Sequence, residues 1–109
     1  MLKTITTYIA GVNFNNEDGS CRKDILSELI FDSDLLLENY MFENEKAVRL
    51  LTYQKRCVGN IPKDLAQEIY DFNAKGKVKA VVYKPQFYNN GSINHQIKIY
   101  IKTLLNSKR

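Results

Sequence analysis

The amino-acid sequence predicts a mainly β domain of the α+β class, in which six strands and two short helices form a small, partly open β-barrel. Three observations predict it: short apolar–polar alternations separated by turn residues, one strong amphipathic helix, and a long hairpin pattern late in the chain. The 109 residues, 44% of them hydrophobic and 26% charged, suit one globular domain over residues 1–109.

The first 60 residues carry mostly strand and turn signals. Residues 4–11 are rich in Thr, Ile and Tyr and stop at a glycine, which is typical of a strand. Ser20 follows a polar loop and is placed to cap a short helix over residues 21–29. Three further strands are predicted at residues 34–40, 46–53 and 56–60, with turns at 42–45 and 54–55.

The clearest helix begins at Pro62, which suits the first helical position because the N–H that proline lacks has no helical partner there. Leu65 and Ile69 belong to its apolar stripe, and Gly76 ends it as a C-cap glycine. The rest of the chain predicts a long hairpin, with arms at 77–88 and 92–104.

Asn90-Gly91 is a strong turn signal in this hairpin, because both residues tolerate positive φ. A turn centred there predicts three cross-strand pairs: Tyr83 with Lys98, Val81 with Tyr100, and Lys79 with Lys102. Lysine and tyrosine would then share the outer face, while His95 falls among inward-facing isoleucines. Pro85 can bulge the first arm and shift this register.

Charge is unevenly distributed along the chain, whose net charge is +4. Residues 1–74 contain all 12 acidic side chains and 8 basic ones, whereas residues 75–109 contain 8 basic side chains and no acid. Such asymmetry indicates an anionic partner. It is equally consistent with lysines that keep a strand edge from aggregating.

Composition and motif content argue against several classes of function. Cys21 and Cys57 lie far apart and His95 is the only histidine, too few ligands for a zinc site, so reduced thiols are expected. No nucleophile, phosphate-loop or metalloprotease motif occurs. No signal-peptide layout or membrane-length apolar run occurs either. We therefore expect a cytoplasmic, non-catalytic protein without metal or other cofactor and without a membrane partner.

A nucleic-acid site needs positive charge for phosphates and flat rings for unstacked bases. The hairpin supplies candidates of both kinds: Lys79, Tyr83, Phe87, Tyr88, Lys98, Tyr100 and Lys102. Phe14 is a further candidate because it lies in a polar loop. It would there either anchor the loop on the barrel or stack on a base.

Three segments together resemble the HIRAN domain family, and the similarity extends over nearly the whole chain. They are Gly11-Val12-Asn13-Phe14, Asn44-Glu45-Lys46-Ala47-Val48, and Val58-Gly59-Asn60-Ile61-Pro62-Lys63-Asp64-Leu65-Ala66. The family has an OB-like barrel, and it includes domains of helicases as well as small stand-alone bacterial or phage proteins. The resemblance implies binding of single-stranded DNA at its 3′ end, without catalysis or cofactor.

Carried over by position, Asn13, Phe14, Asn44 and Lys63 would contact DNA, Phe14 by stacking a base and Lys63 by meeting a phosphate at a helix start. Two positions differ from DNA-binding members of the family: Asn13 stands where they have arginine, and Glu43-Asn44 where they have Tyr-Asp. The alternative is a module of phage or mobile-element type that binds and inhibits a nucleic-acid-processing protein, such as a helicase or nuclease.

Overall fold

The computed structural model describes residues 2–29 and 32–103. Its elements are, in chain order, β1 (Leu2–Tyr8), α1 (Arg22–Ser27), β2 (Asp34–Phe42), β3 (Glu45–Leu51), β4 (Cys57–Asn60), α2 (Lys63–Ala74), β5 (Val78–Tyr83), β6 (Gln86–Phe87), β7 (Ile93–Asn94) and β8 (Gln96–Lys102). The mainly β prediction is confirmed, and so are its two helices.

The six longer strands form one antiparallel sheet in the order β1-β8-β5-β2-β3-β4. The chain just after β1 meets the other outer strand, β4, at a single bridge, where Ala10 and Asn60 exchange backbone hydrogen bonds of 2.9 Å. The sheet curls without closing along its length, which is the partly open barrel that the sequence predicts.

The core lies on the inner face of this sheet. Alternate residues of β3, β5 and β8 supply it because successive side chains of a strand point to opposite faces. Its fully buried members include Val48, Leu50, Val58, Ile69, Val81, Ile97, Ile99 and Ile101. Helix α2 packs on β2 and β3, where Asn39 Nδ2 donates to the Tyr70 carbonyl oxygen at 3.0 Å.

The predicted hairpin register is wrong by one residue. Tyr88 N donates to the Ser92 carbonyl oxygen, so three residues rather than two form the loop, and Gly91 takes the left-handed position (φ +87°). Val82 consequently pairs with Lys98, and Tyr83 with Ile97. A slip of one residue turns side chains to the other face. Tyr83 is therefore in the core rather than on the outer face.

The hairpin is also interrupted. Pro85 separates β5 from β6, which pairs only with β7 in a two-stranded ribbon apart from the main sheet. Ile93, predicted to face inward, is 45% exposed in this ribbon. The predicted end of the second arm at Leu104 lies outside the described residues, as do Lys108 and Arg109.

Both helix starts differ from the prediction by one residue. Cys21 rather than Ser20 is the N-cap of α1, because the Ser20 hydroxyl donates instead to Asp18 Oδ1 at 2.6 Å. Pro62 is the N-cap of α2, so Lys63 is its first helical residue. The predicted stop at Gly76 is confirmed by its positive φ of +71° just beyond the C-cap.

The turn between β2 and β3 consists of Glu43 and Asn44, both with positive φ (+51° and +66°). Two such residues make the type I′ turn that tight hairpins favour, but a glutamate is poorly suited to it. We expect Glu43→Asn to raise the free energy of unfolding by about 0.5–1 kcal/mol, because asparagine tolerates this conformation. Urea unfolding measures the change. Glu17→Asn removes an exposed loop carboxylate without a positive-φ backbone, and equal stabilisation by both variants would contradict the turn explanation.

Candidate functional site

The outer face of strands β2 and β3 carries a row of flat side chains. Tyr40 and Phe42 point outward from β2, and Arg49 does so from β3, because the buried residues of β3 point the other way. The Arg49 guanidinium lies 4.0 Å from the centre of the Tyr40 ring, and Phe42 is 57% exposed. This face therefore offers a guanidinium plane over the Tyr40 ring and, two residues further along β2, an open ring.

A cavity of about 240 Å³ lies at one end of this row. Tyr40, Phe42 and Asn60 line it, together with Lys63 from the first turn of α2. The Asn60 side-chain oxygen is buried and has no hydrogen-bond partner in the described part of the chain. A buried acceptor of this kind is costly unless a water or a ligand donates to it.

The loop after β1 borders the same face. Ala10 lines the small cavity. The Phe14 amide donates back to the Gly11 carbonyl at 3.2 Å, so Phe14 follows Ala10 after one tight turn. Phe14 is 70% exposed, so it does not anchor the loop in the core. Arg22 fixes this turn from α1 by donating to the Gly11 carbonyl oxygen at 3.0 Å.

Two further cavities continue the depression across the barrel. One has a volume of about 600 Å³ and is lined by Arg49. It adjoins the small cavity, because Arg49 is the cross-strand neighbour of Asn60, which lines the small cavity. The loop that carries Phe14 supplies part of the wall of this larger cavity. The next, of about 430 Å³, lies where β2 and β5 diverge and shares Glu38, Leu51 and Lys55 with it. It opens beside Lys79. We call these three cavities the groove.

The groove has mixed charge. Arg49 pairs with Glu38 at 2.6 Å, and Lys63 with Glu45 at 3.4 Å. At its open end and beyond it, five lysines have no acidic partner among residues 2–29 and 32–103: Lys75, Lys77, Lys79, Lys98 and Lys102. The remaining lysine of the described C-terminal part, Lys84, pairs with Asp32. Uncompensated positive charge is therefore concentrated on β5, β8 and the end of α2.

The structure brings together some of the predicted site residues and separates others. Lys63 and Lys79 lie at opposite ends of the groove, and Asn13, Phe14 and Asn44 are exposed on loops beside it. Lys98, Tyr100 and Lys102 share the outer face of β8 beyond Lys79. Phe87 and Tyr88 lie on the separate ribbon, and Tyr83 is buried.

The row of Tyr40, Phe42 and Arg49 was not predicted. Its signal lies in the alternation of β2, which places two aromatic side chains on the polar face of the strand. The distribution of charge does not indicate these residues, because they lie within residues 1–74, which contain all the acidic side chains.

Comparisons of the chain with protein-family models, with curated proteins and with solved structures each find no match. Among the described residues, no group of three or more His, Cys, Asp or Glu side chains could hold a metal ion. No helix in that part of the chain is long and apolar enough to cross a membrane.

Proposed function

We propose that this protein is a non-catalytic module that binds single-stranded nucleic acid, most simply DNA, along the groove. The observation that carries the proposal is the outward row of Tyr40, Phe42 and Arg49, bordered by the loop on which the Phe14 ring is exposed. OB-type barrels bind oligonucleotides on the face of their own strands 2 and 3. The resemblance to the HIRAN family supports the same assignment.

Bases would stack on the Phe14 and Phe42 rings and on the Arg49 guanidinium, since every base has a flat face. In the small cavity, an exocyclic amino group could donate to Asn60 Oδ1, the buried acceptor that otherwise lacks a partner. This contact would favour bases that carry an amino group, whereas stacking itself is tolerant of sequence.

The phosphate backbone would follow the cations. Lys63 stands at the start of the 12-residue helix α2, where the first backbone amides also attract anions. At the other end, Lys79 leads onto the lysines of β8, which have no acidic partner among the described residues. The strand would thus run from Lys63 past Arg49 to Lys79.

Reading of the 3′ end is a finer proposal. The small cavity ends the groove beside the Glu43-Asn44 turn, so a strand terminus would lie there. Asn44 can accept a hydrogen bond from a hydroxyl, but Glu43 repels phosphate. A free 3′ hydroxyl should therefore contribute less than the stacked bases.

A salt titration tests the proposal. Fluorescence anisotropy of a labelled single strand of about 12 nucleotides should show binding that weakens steeply between about 50 and 200 mM salt. Lys79→Gln should lower the log–log salt slope by about 1, whereas Lys23→Gln, outside the groove, should leave it unchanged. A second oligonucleotide with a blocked 3′ end measures the contribution of the hydroxyl. Absence of binding at low salt would refute the proposal.

The mixed charge of the groove favours a second candidate, a module that binds and inhibits a nucleic-acid-processing protein. Glu38, Glu43 and Glu45 on this face could pair with the cations of such a partner. If the wild-type protein inhibits a helicase or nuclease at salt concentrations that abolish its own DNA binding, this candidate is favoured over the first.

A further inference from the structure

A separate cavity lies between α1 and the β6–β7 ribbon. Its volume is about 410 Å³, within the range typical of small-molecule sites. Most of its wall is apolar, formed by Leu26, Leu29, Pro85, Phe87 and Ile93. None of its described lining residues belongs to the groove, so the two sites are distinct.

The buried Tyr83 and the half-buried His95 form a polar pair on one wall of this cavity. The Tyr83 hydroxyl lies 2.6 Å from His95 Nδ1, and the two rings are nearly parallel, with an interplanar angle of 13°. Burial raises the pKa of Tyr83 to about 12, so the phenol keeps its proton. This hydroxyl has no other acceptor in the described chain, so the tautomer that satisfies it is the one in which the hydroxyl donates to Nδ1 and the ring hydrogen is on Nε2.

His95 lines the cavity, and in this tautomer its Nε2–H is a hydrogen-bond donor without a partner among the described residues. Burial, reinforced by the positive charge of Lys23, lowers the pKa of His95, so the imidazole is neutral near pH 7. Lys23 itself is exposed at the cavity and has no ion pair within residues 2–29 and 32–103. No described lining residue is acidic.

We propose that this cavity binds a small aromatic carboxylate. Its rings would lie among Phe87, Pro85 and Ile93, and its carboxylate would accept hydrogen bonds from the Lys23 ammonium and His95 Nε2–H. Two donors and a single positive charge match a monoanion. A phosphate, with more charge and a third oxygen, would leave polar atoms unpaired against the apolar wall.

The ligand 2-naphthoate probes this site, because two fused rings and a carboxylate fit the volume. His95 is the only histidine, so its imidazole NMR signals report on the cavity alone. We expect 2-naphthoate to shift them in a saturable manner and 2-naphthylmethylammonium, which has the same rings and the opposite charge, to leave them in place. Anisotropy of a bound single strand should not change, since the groove is elsewhere.

Two variants test the assignment. Lys23→Glu should weaken 2-naphthoate binding about fivefold, whereas Lys75→Glu, the same charge change outside the cavity, should leave it unchanged. Ser27→Phe fills the cavity from the exposed side of α1 and should abolish binding while the far-UV circular dichroism stays native. Equal affinity for the cationic analogue, or unchanged binding in Ser27→Phe, would overturn the proposal. So would a shift of His95 by single-stranded DNA alone.

Discussion

Gly59→Ala is expected to destabilise the protein by about 3 kcal/mol and to lower its melting temperature by about 15 °C. Gly59 has φ +148°, a region that side chains disfavour, and lies in β4 beside the bridge to Ala10. A Cβ atom there would lie 2.6 Å from the Ala10 carbonyl oxygen and closer still to Cγ2 of Ile9. Both contacts involve atoms that the barrel holds in place, so the bridge must separate. Thermal unfolding measures the effect.

Gly19→Ala is the matched control. Gly19 also has positive φ (+88°), but no atom lies within 4 Å of the added Cβ. Its cost should be limited to backbone strain, about 1 kcal/mol. If the two variants melt at the same temperature, close packing at the bridge is not what requires glycine at position 59.

Replacing Phe14 and Phe42 together by alanine is expected to weaken binding of single-stranded DNA about 100-fold. Each ring stacked on a base contributes about 1–3 kcal/mol, and tenfold in affinity corresponds to about 1.4 kcal/mol. Both side chains are mostly exposed, at 70% and 57%, so the free energy of unfolding should change little. Anisotropy at low salt measures the affinity, and urea unfolding checks the stability.

A double replacement of Tyr8 and Tyr53 by alanine separates the groove from a general loss of surface aromatics. These rings are exposed to a similar degree, 54% and 67%, but they belong neither to the outward row of β2 and β3 nor to the loop that carries Phe14. Their removal should leave the affinity within about twofold of the wild type. Equal losses in the two double variants would show that no particular aromatic site is used.

Most of the barrel is predictable from the sequence because short apolar segments are separated by turn residues and β8 alternates strictly between apolar and polar residues. The alternation of β8 and the Pro62 and Gly76 signals of α2 place those elements to within a few residues. The hairpin register is not predictable in this way, since Asn89-Asn90-Gly91 suits both a two-residue and a three-residue loop. The choice between them decides whether Tyr83 faces solvent or the core.

The candidate site is less predictable, because charge along the chain does not reveal which cations have partners. Lys63 pairs with Glu45, which is distant in sequence, and Arg49 pairs with Glu38 on the neighbouring strand. Lys98 and Lys102, by contrast, lack an acidic partner among the described residues. Cavities likewise arise where strands diverge, as β2 does from β5. Such divergence depends on packing of the whole sheet rather than on local sequence.

The β6–β7 ribbon contributes no residue to the hydrophobic cluster of the barrel. Residues 86–94 can therefore change in length and composition without loss of core burial. Descendants of this chain could acquire a new ligand by exchanging the ribbon while inheriting the barrel intact. Selection on recognition at the ribbon and selection on folding would then act on different parts of the same chain.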